Sequence, residues 1–172
     1  MTGNRLASQT TQKLAISGNC AKTLDNVDSA TLLGLEIDST LSFHGHIDKI
    51  CTKIASCIAV LRDICTYLPL NQRILYYNAI IRPIMTYADV IWCNCDKESL
   101  NRVLKLQKRA ARVILSADYM ASSVELFNKL YWIPFYEQVK IDKCVIIFKH
   151  LQGTLPSYLS EHITMNNTRH SR

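Results

Sequence analysis

Glycine and long apolar runs are scarce in this chain, and their scarcity excludes several classes of protein. Only five of the 172 residues are glycine and none are grouped, so the glycine-rich loop that cradles phosphates in nucleotide-binding enzymes has no counterpart. Nowhere do about eighteen apolar residues follow one another, as a membrane-spanning helix requires. The opening residues, MTGNRLASQTTQ, contain no apolar core of a secretion signal. We therefore expect an intracellular protein that does not enter a membrane.

The seven cysteines are an odd number, which favours free thiols over a disulfide framework. Most of them lie on predicted helices, where we expect small buried side chains in a reducing compartment. A zinc site made of Cys93, Cys95, Cys144 and His150 is disfavoured, because structural zinc sites use paired ligands at wider spacing. Candidate nucleophiles lack a partner base at a recognisable spacing. We predict no metal ligand, no cofactor and no catalytic residue in this chain.

Hydrophobic periodicity predicts a mainly α fold that begins with a short β-hairpin or strand unit. Alternating apolar residues mark strands at Lys13–Ser17 and Leu32–Ile37. From Phe43 the spacing changes to three and four residues, which predicts a long helix ending before Pro69. A second helix should run from Leu70 into Tyr87, and Pro83 should kink or end it because proline lacks an amide donor.

Three further helices complete a predicted bundle of about five. They are a basic helix over Leu100–Leu115, a short helix that starts at Ser122 and reaches Leu130, and a longer helix between Pro134 and Gly153. The predicted organisation is a β-unit over residues 1–42, a helical region over 43–163 and a disordered basic tail over 164–172.

The basic helix carries the most informative pattern in the chain. Stepping about 100° per residue places five cations on one arc of roughly 120°, with no acid in the segment LNRVLKLQKRAARVIL. These five side chains repel one another, and an anion bound along the arc would relieve that repulsion. A solvated helix face is the alternative. The five candidate ligands of an anion are Arg102, Lys105, Lys108, Arg109 and Arg112.

The net charge of the chain narrows the class of anion. A formal charge of +6 favours polyanions, since lysine and arginine displace the counterions of nucleic acid or attract acidic lipids. Charge alone does not choose between these two.

The order of several blocks resembles reverse transcriptases of jockey-like non-LTR retrotransposons, in the region just downstream of their catalytic box. In that family a Leu-Gly pair is followed, at intervals, by Asp, Leu, Phe and His-Ile. The first block of this sequence has the same residues in the same order. The resemblance covers about Lys13 to Ile163, and its five blocks are LLGLEIDSTLSFHGHIDKI, YLPLNQRILYYNAIIRPIMTYADVIW, LNRVLKLQKRAARVIL, LFNKLYWIPFYEQ and IIFKHLQGTLPSYLSEHI.

This resemblance implies a function for two parts of the chain. Leu33 and Gly34 match the Leu-Gly hairpin that is similar to a primer grip, where glycine lets backbone approach a ligand closely. The helices beyond match a thumb-like bundle that clamps the template–primer duplex. The five cations would then contact the sugar–phosphate backbone of an RNA–DNA duplex without reading sequence.

The resemblance also implies where catalysis resides in such an enzyme. The palm and its Mg²⁺-binding aspartates precede this region in the family, so we expect the given chain to be catalytically inactive by itself, with a palm domain of another chain as a further partner. Tyr87-Ala88-Asp89 is not the Tyr-Ala-Asp-Asp box, because Val90 replaces the second carboxylate and the surroundings are helical. The alternatives are a helical protein-interaction module and a non-functional retroelement relic.

Overall fold

The computed structural model describes residues 27–163 in full and, before them, only the backbone of two short strands. These strands, β1 (Ala15–Ile16) and β2 (Lys22–Thr23), pair antiparallel, with Ala15 opposite Thr23. The rest of the predicted strand at 13–17, residue Cys20 and the predicted tail at 164–172 lie outside the described residues.

A second hairpin joins β3 (Ser29–Leu32) to β4 (Leu35–Asp38). The strands are antiparallel, and the Leu32–Leu35 pair encloses a two-residue turn at Leu33 and Gly34, whose φ angles are 49° and 82°. Positive φ at both central residues is the mark of a type I′ turn, whose twist suits a hairpin. The strand signal over Leu32–Ile37 is therefore divided by a turn, and the Leu-Gly hairpin that the resemblance implies is present.

Asp38 organises the connection between β4 and the first helix. Its carboxylate accepts hydrogen bonds from the backbone N–H of Thr40 (2.9 Å) and of Phe43 (2.8 Å), and from Ser42 through both its N–H (3.1 Å) and its hydroxyl (3.0 Å). The Thr40 hydroxyl also donates to it. These hydrogen bonds, led by that from the Thr40 hydroxyl, hold the pKa of the carboxyl far below its usual range.

Replacing Asp38 with asparagine should lower the melting temperature at pH 7 by several degrees. Because the folded pKa is depressed, the stabilisation is present above the unfolded pKa of about 3.9 and is lost as the pH falls below it. The difference between wild type and Asp38→Asn in thermal melts followed by circular dichroism should therefore shrink from pH 7 to pH 3. Asp63→Asn, at an exposed site on the first helix, is the control. An equal difference at both pH values would contradict this role.

Helices make up most of the described chain, which confirms the predicted mainly α fold class. Within residues 27–163 they are α1 (His44–Ile64), one 3₁₀ turn (Cys65–Tyr67), α2 (Leu70–Tyr76), one π turn (Tyr77–Ile81), α3 (Arg82–Thr86), α4 (Asp89–Trp92), α5 (Lys97–Ile114), α6 (Ser123–Leu130), α7 (Phe135–Leu151) and α8 (Ser157–Ser160). The helices are more numerous than the predicted five, because the predicted second helix divides and short single-turn helices lie between the long ones.

Pro83 is accommodated without ending the helix at its own position. The π turn just before it widens the spiral, and the N–H of Arg82 bonds to the carbonyl of Tyr77 five residues back. This insertion relieves the clash that a proline ring makes with the preceding turn of an α-helix. The helix continues to Thr86.

The core lies where α1 packs against α5. Ala110 and Ala111 present small side chains, so the two helices approach closely, and aromatic residues fill the region beside them. Trp92 is fully buried, stacks on Phe135 with ring centroids 5.6 Å apart, and donates its indole N–H to the carbonyl of Tyr87 at 2.8 Å. The fully buried aliphatic side chains of the two helices are Ile47, Ile54, Ile58, Leu61, Val103 and Ile114.

The cysteines are less buried than the sequence predicted. Of the six in the described residues, all with free thiols, Cys93 alone is buried, Cys144 is exposed and the others are half-buried. Burial raises the pKa of the Cys93 thiol. Several of these cysteines lie on helices, as predicted, but at the edge of the buried face and not at its centre. Within the described ranges, no helix has the length and apolarity needed to cross a lipid bilayer.

Candidate nucleic-acid interface

The basic helix begins three residues before the predicted segment. Asp96 caps α5 by accepting hydrogen bonds from the N–H of Ser99 (2.9 Å) and from its hydroxyl (2.8 Å), which lower the pKa of the Asp96 carboxyl. The helix buries one stripe of side chains and turns its cations away from the core. The stripe consists of Ser99, Val103, Gln107, Ala110, Ala111 and Ile114.

Arg102 differs from the other four predicted cations because it forms an ion pair, and it lines a hollow of about 320 Å³ together with Lys105, Lys108 and Glu98. Its Nη2 lies 2.6 Å from Oδ1 of Asp48 on α1, and this hydrogen-bonded carboxylate raises the pKa of the guanidinium. The expected arc of five uncompensated charges is therefore interrupted at Arg102.

The other four cations line one groove together with Arg62, from the last turn of α1. We call this the basic groove. It has a volume of about 950 Å³, and no carboxylate occurs among its lining residues within the described part of the chain. None of its five cations forms an ion pair with another described residue. The groove is lined by Arg62, Cys65, Lys105, Lys108, Arg109, Arg112, Val113, Ser116, Ala117, Tyr119 and Met120.

Arg112 is one of two half-buried cations of the basic groove, with Lys108. Its guanidinium carbon lies 5.7 Å from the centroid of the Tyr119 ring, and its Nη2 is 3.5 Å from the carbonyl oxygen of Ala121. Its Nε is buried and has no hydrogen-bond partner among the described residues. The side chain is thereby held against the wall of the groove.

Arg73 supports the groove from outside. Its Nη1 donates to the carbonyl of Ile114 (3.0 Å) and to the hydroxyl of Ser116 (2.9 Å), and its Nε donates to the carbonyl of Leu68 (2.7 Å). The first of these bonds satisfies a carbonyl at the C-terminus of α5, which a helix leaves unpaired. Arg73 therefore positions the end of the basic helix.

The predicted grip-like pair occupies the tip of the second hairpin. Leu33 is 81% exposed, and its carbonyl accepts a hydrogen bond of 2.6 Å from the hydroxyl of Tyr87. A Cβ added to Gly34 would lie 3.9 Å from that tyrosine ring, which is ordinary contact, so the glycine serves the positive φ of the turn more than it serves space.

The hairpin tip and the basic groove belong to different hollows. Leu33 and Gly34 border a hollow of about 520 Å³ together with Lys49, Lys53 and Tyr87, and this hollow shares no residue with the basic groove. The structure therefore places the two predicted binding elements at separate surfaces.

Tyr87 and Ala88 form a turn between α3 and α4, and Asp89, the first residue of α4, is buried. This burial, with a smaller effect of Asp142, raises the pKa of Asp89 to about 6. Across the described residues, no three His, Cys, Asp or Glu side chains come together in a way that would hold a metal ion.

The sequence pattern missed two contributors to the basic groove. Arg62 lies in the last turn of α1, 40 residues before Arg102, and only the packing of α1 on α5 brings it to the groove. Tyr119 lies in the short connection after the basic helix. The adjacent large side chains of Tyr119 and Met120 were the feature of the sequence from which this contribution could have been predicted.

These elements define a mainly helical module that carries a β-hairpin and a groove with five unpaired cations among its described residues. A segment of 115 residues, 65% of this chain, is 23% identical to the "Probable RNA-directed DNA polymerase from transposon X-element" of Drosophila melanogaster. The chain spans 13% of the length of that fly protein. The similarity supports a distant relationship to part of a reverse transcriptase. No family model and no solved structure matches the chain.

Proposed function

We propose that the basic groove binds the sugar–phosphate backbone of a template–primer duplex. The chain would serve as the thumb-like region, downstream of the palm, of a reverse transcriptase from a jockey-like non-LTR retrotransposon. The observation that carries this proposal is the set of five cations around one groove with no carboxylate in its lining. The similarity to a transposon polymerase favours nucleic acid as the anion that binds there.

The spacing of the cations suits backbone contact. Lys105 and Arg112 are seven residues apart, which is about 10 Å along a helix axis. One strand of a duplex presents a phosphate about every 3.4 Å of axis, so the stretch from Lys105 to Arg112 runs along about three phosphate intervals of one strand. The remaining contacts of the five would fall on the opposite strand. Contacts of this kind hold a duplex in position and read no sequence directly. Phosphoryl transfer would use Mg²⁺ held by the palm of such an enzyme, so the role proposed for this region is that of a clamp.

The hairpin tip has a proposed role of its own. An exposed Leu33, braced through its carbonyl by Tyr87, suits a contact with the primer strand. The free thiols of the described cysteines accord with a reducing, intracellular location.

Salt dependence of duplex binding tests the clamp. The whole chain is titrated into a labelled RNA–DNA hybrid, and binding is followed by fluorescence anisotropy. Five phosphate contacts predict a slope of log affinity against log salt of about −4.5, which is an affinity loss of about 500-fold between about 50 and 200 mM salt. An absence of binding at about 50 mM, or a slope near zero, would overturn the proposal.

A helical protein-interaction module is the second candidate. Helix α7 favours it, because Ile141, Val145, Phe148 and Leu151 form an apolar stripe on its exposed side. Co-purification that survives nuclease treatment, in a chain that does not bind the hybrid, would support this candidate. A cooperative thermal melt of the chain would exclude the third possibility, a non-functional relic that does not fold.

A further inference from the structure

We propose that Tyr119, at the edge of the basic groove, stacks on an unpaired base, so that the groove prefers a nucleic acid that has a single-stranded extension beside its duplex. This inference rests on the proposed function, because it assumes that the five cations hold phosphates. It adds a preference for unpaired nucleotides, which contacts between the cations and phosphates alone would not produce.

The first observation is an aromatic edge on the basic groove. Tyr119 and Met120 are 83% and 84% exposed, and both line the groove, next to the cations. Single exposed apolar residues are common on protein surfaces, but this adjacent pair borders the groove in which the unpaired cations lie. Aromatic rings beside a cationic groove are the arrangement by which proteins hold single strands, because every base has a π-face.

The second observation is that hydrogen bonds brace the backbone of the loop that carries Tyr119. The side-chain carboxylate of Asp118 accepts a hydrogen bond from the N–H of Met120 (2.8 Å). The backbone carbonyl of Asp118 accepts one from the N–H of Ala121 (3.1 Å). The N–H of Ala117 bonds to the carbonyl of Arg112 at 2.9 Å, which ties the loop to the end of α5. A ring on a braced loop loses less conformational entropy when it meets a ligand.

The third observation is the guanidinium beside the ring. Arg112 lies over Tyr119, with 5.7 Å between the guanidinium carbon and the ring centroid, and most of the ring surface remains open to solvent. A base stacked on the open surface would keep its own phosphate close to Arg112 and to the neighbouring cation Arg109. One nucleotide would thus contact the ring through its base and the groove through its phosphate.

This arrangement discriminates between paired and unpaired nucleotides. Inside a duplex both faces of each base are covered by its neighbours, so Tyr119 has no base face to meet. An overhang or a single strand exposes its bases. The ligand that fits the whole groove is therefore a duplex with a single-stranded extension.

The test compares two probes on the whole chain, a single-stranded oligonucleotide and a blunt RNA–DNA hybrid of equal length. Tyr119→Ala should weaken binding of the single strand by about 5- to 160-fold, since stacking on one aromatic residue is worth about 1–3 kcal/mol per base. Binding of the blunt hybrid should change less than about twofold, and both salt slopes should stay as in wild type, because no charge is removed. Tyr119→Phe should retain the affinity for the single strand.

A spectroscopic variant and a matched control complete the test. The fluorescence of Tyr119→Trp should be quenched by the single strand and not by the blunt hybrid, whereas Tyr158→Ala, at another exposed tyrosine outside the groove, should leave both affinities unchanged. Equal losses for both probes in Tyr119→Ala, or no quenching in Tyr119→Trp, would overturn this inference while the clamp stands. A wild-type chain that binds neither probe would overturn the clamp as well.

Discussion

Replacing Lys105, Lys108 and Arg109 together with glutamine should remove most of the salt dependence of duplex binding. All three line the basic groove, and none forms an ion pair among the described residues, so each is free to replace a counterion on the nucleic acid. Loss of three contacts out of five should change the slope from about −4.5 to about −1.8. The affinity loss between about 50 and 200 mM salt should then fall from about 500-fold to about 12-fold.

Arg102→Gln is the matched control for the triple substitution. It removes one positive charge from the same helix, but that charge already faces Asp48 at 2.6 Å and lies outside the basic groove. We expect it to change the slope by less than about half a unit, since a contact that reaches the phosphate would change it by about 0.9. An unchanged slope in the triple variant, or an equal change per charge in Arg102→Gln, would contradict the assignment of the groove.

The sequence predicted the helices better than it predicted their surfaces. Periods of three and four residues identify α1 and α5 because the buried stripe of a helix repeats in that way. A helical wheel of α5 shows which side chains share a face of that helix, but it does not show which residues of a neighbouring helix pack against that face. Asp48 is 54 residues before Arg102, and Arg62 joins the groove only through helix packing. The charge on a helix face therefore depends on the neighbouring helix as much as on its own sequence.

Two backbone features interrupt regular patterns in a way that the sequence did not specify. The apolar alternation through Leu33 and Gly34 has the period of a strand, yet Gly34 permits the positive φ of a two-residue turn. Pro83 was predicted to kink or end its helix, and the structure divides that helix at a π turn over Tyr77–Ile81, just before the proline. In both cases the sequence showed the residue that disturbs the pattern, Gly34 or Pro83. It did not show which backbone conformation accommodates that residue.

Gln107 shows a third kind of limit, because a polar residue on the basic helix belongs to the core. On the helical wheel it is one of two residues, with Asn101, that are neither apolar nor cationic. In the structure it is buried, and its amide joins α5 to the segment that leads into α7. Its Oε1 accepts a hydrogen bond from the N–H of Phe135 (2.8 Å), and its Nε2 donates to the carbonyl of Ile133 (3.0 Å).

The same amide also lies beside a stacked pair of aromatic residues, of which Tyr77 is buried. Its Nε2 lies 3.5 Å from the hydroxyl of Tyr77, whose ring stacks on Trp132 with centroids 3.8 Å apart. Burial raises the pKa of Tyr77 to about 12, so this hydroxyl stays neutral over the physiological range. Gln107 is therefore a polar tie between the basic helix and two neighbouring parts of the bundle.

Gln107→Ala should lower the free energy of unfolding by about 2–4 kcal/mol. The substitution leaves the buried N–H of Phe135 without a partner, which costs about 1–3 kcal/mol, and the deleted atoms leave a void. Since a domain of this size has about 5–15 kcal/mol of stability, the loss should appear as a clear shift of the urea midpoint in circular dichroism. Nucleic-acid affinity under folding conditions should change little, because Gln107 does not line the basic groove.

Two further variants separate the hydrogen bonds of Gln107 from the volume of its side chain. Gln107→Glu retains the size and an acceptor for Phe135, but its carboxylate would face the Ile133 carbonyl. Burial then raises the folded pKa of the new carboxyl, so this variant should be less stable at pH 7 than near pH 4, relative to wild type at each pH. Gln72→Leu, at an exposed position on α2, should stay within about 0.5 kcal/mol of wild type. A Gln107→Ala chain as stable as Gln72→Leu would show that the amide does not hold the bundle together.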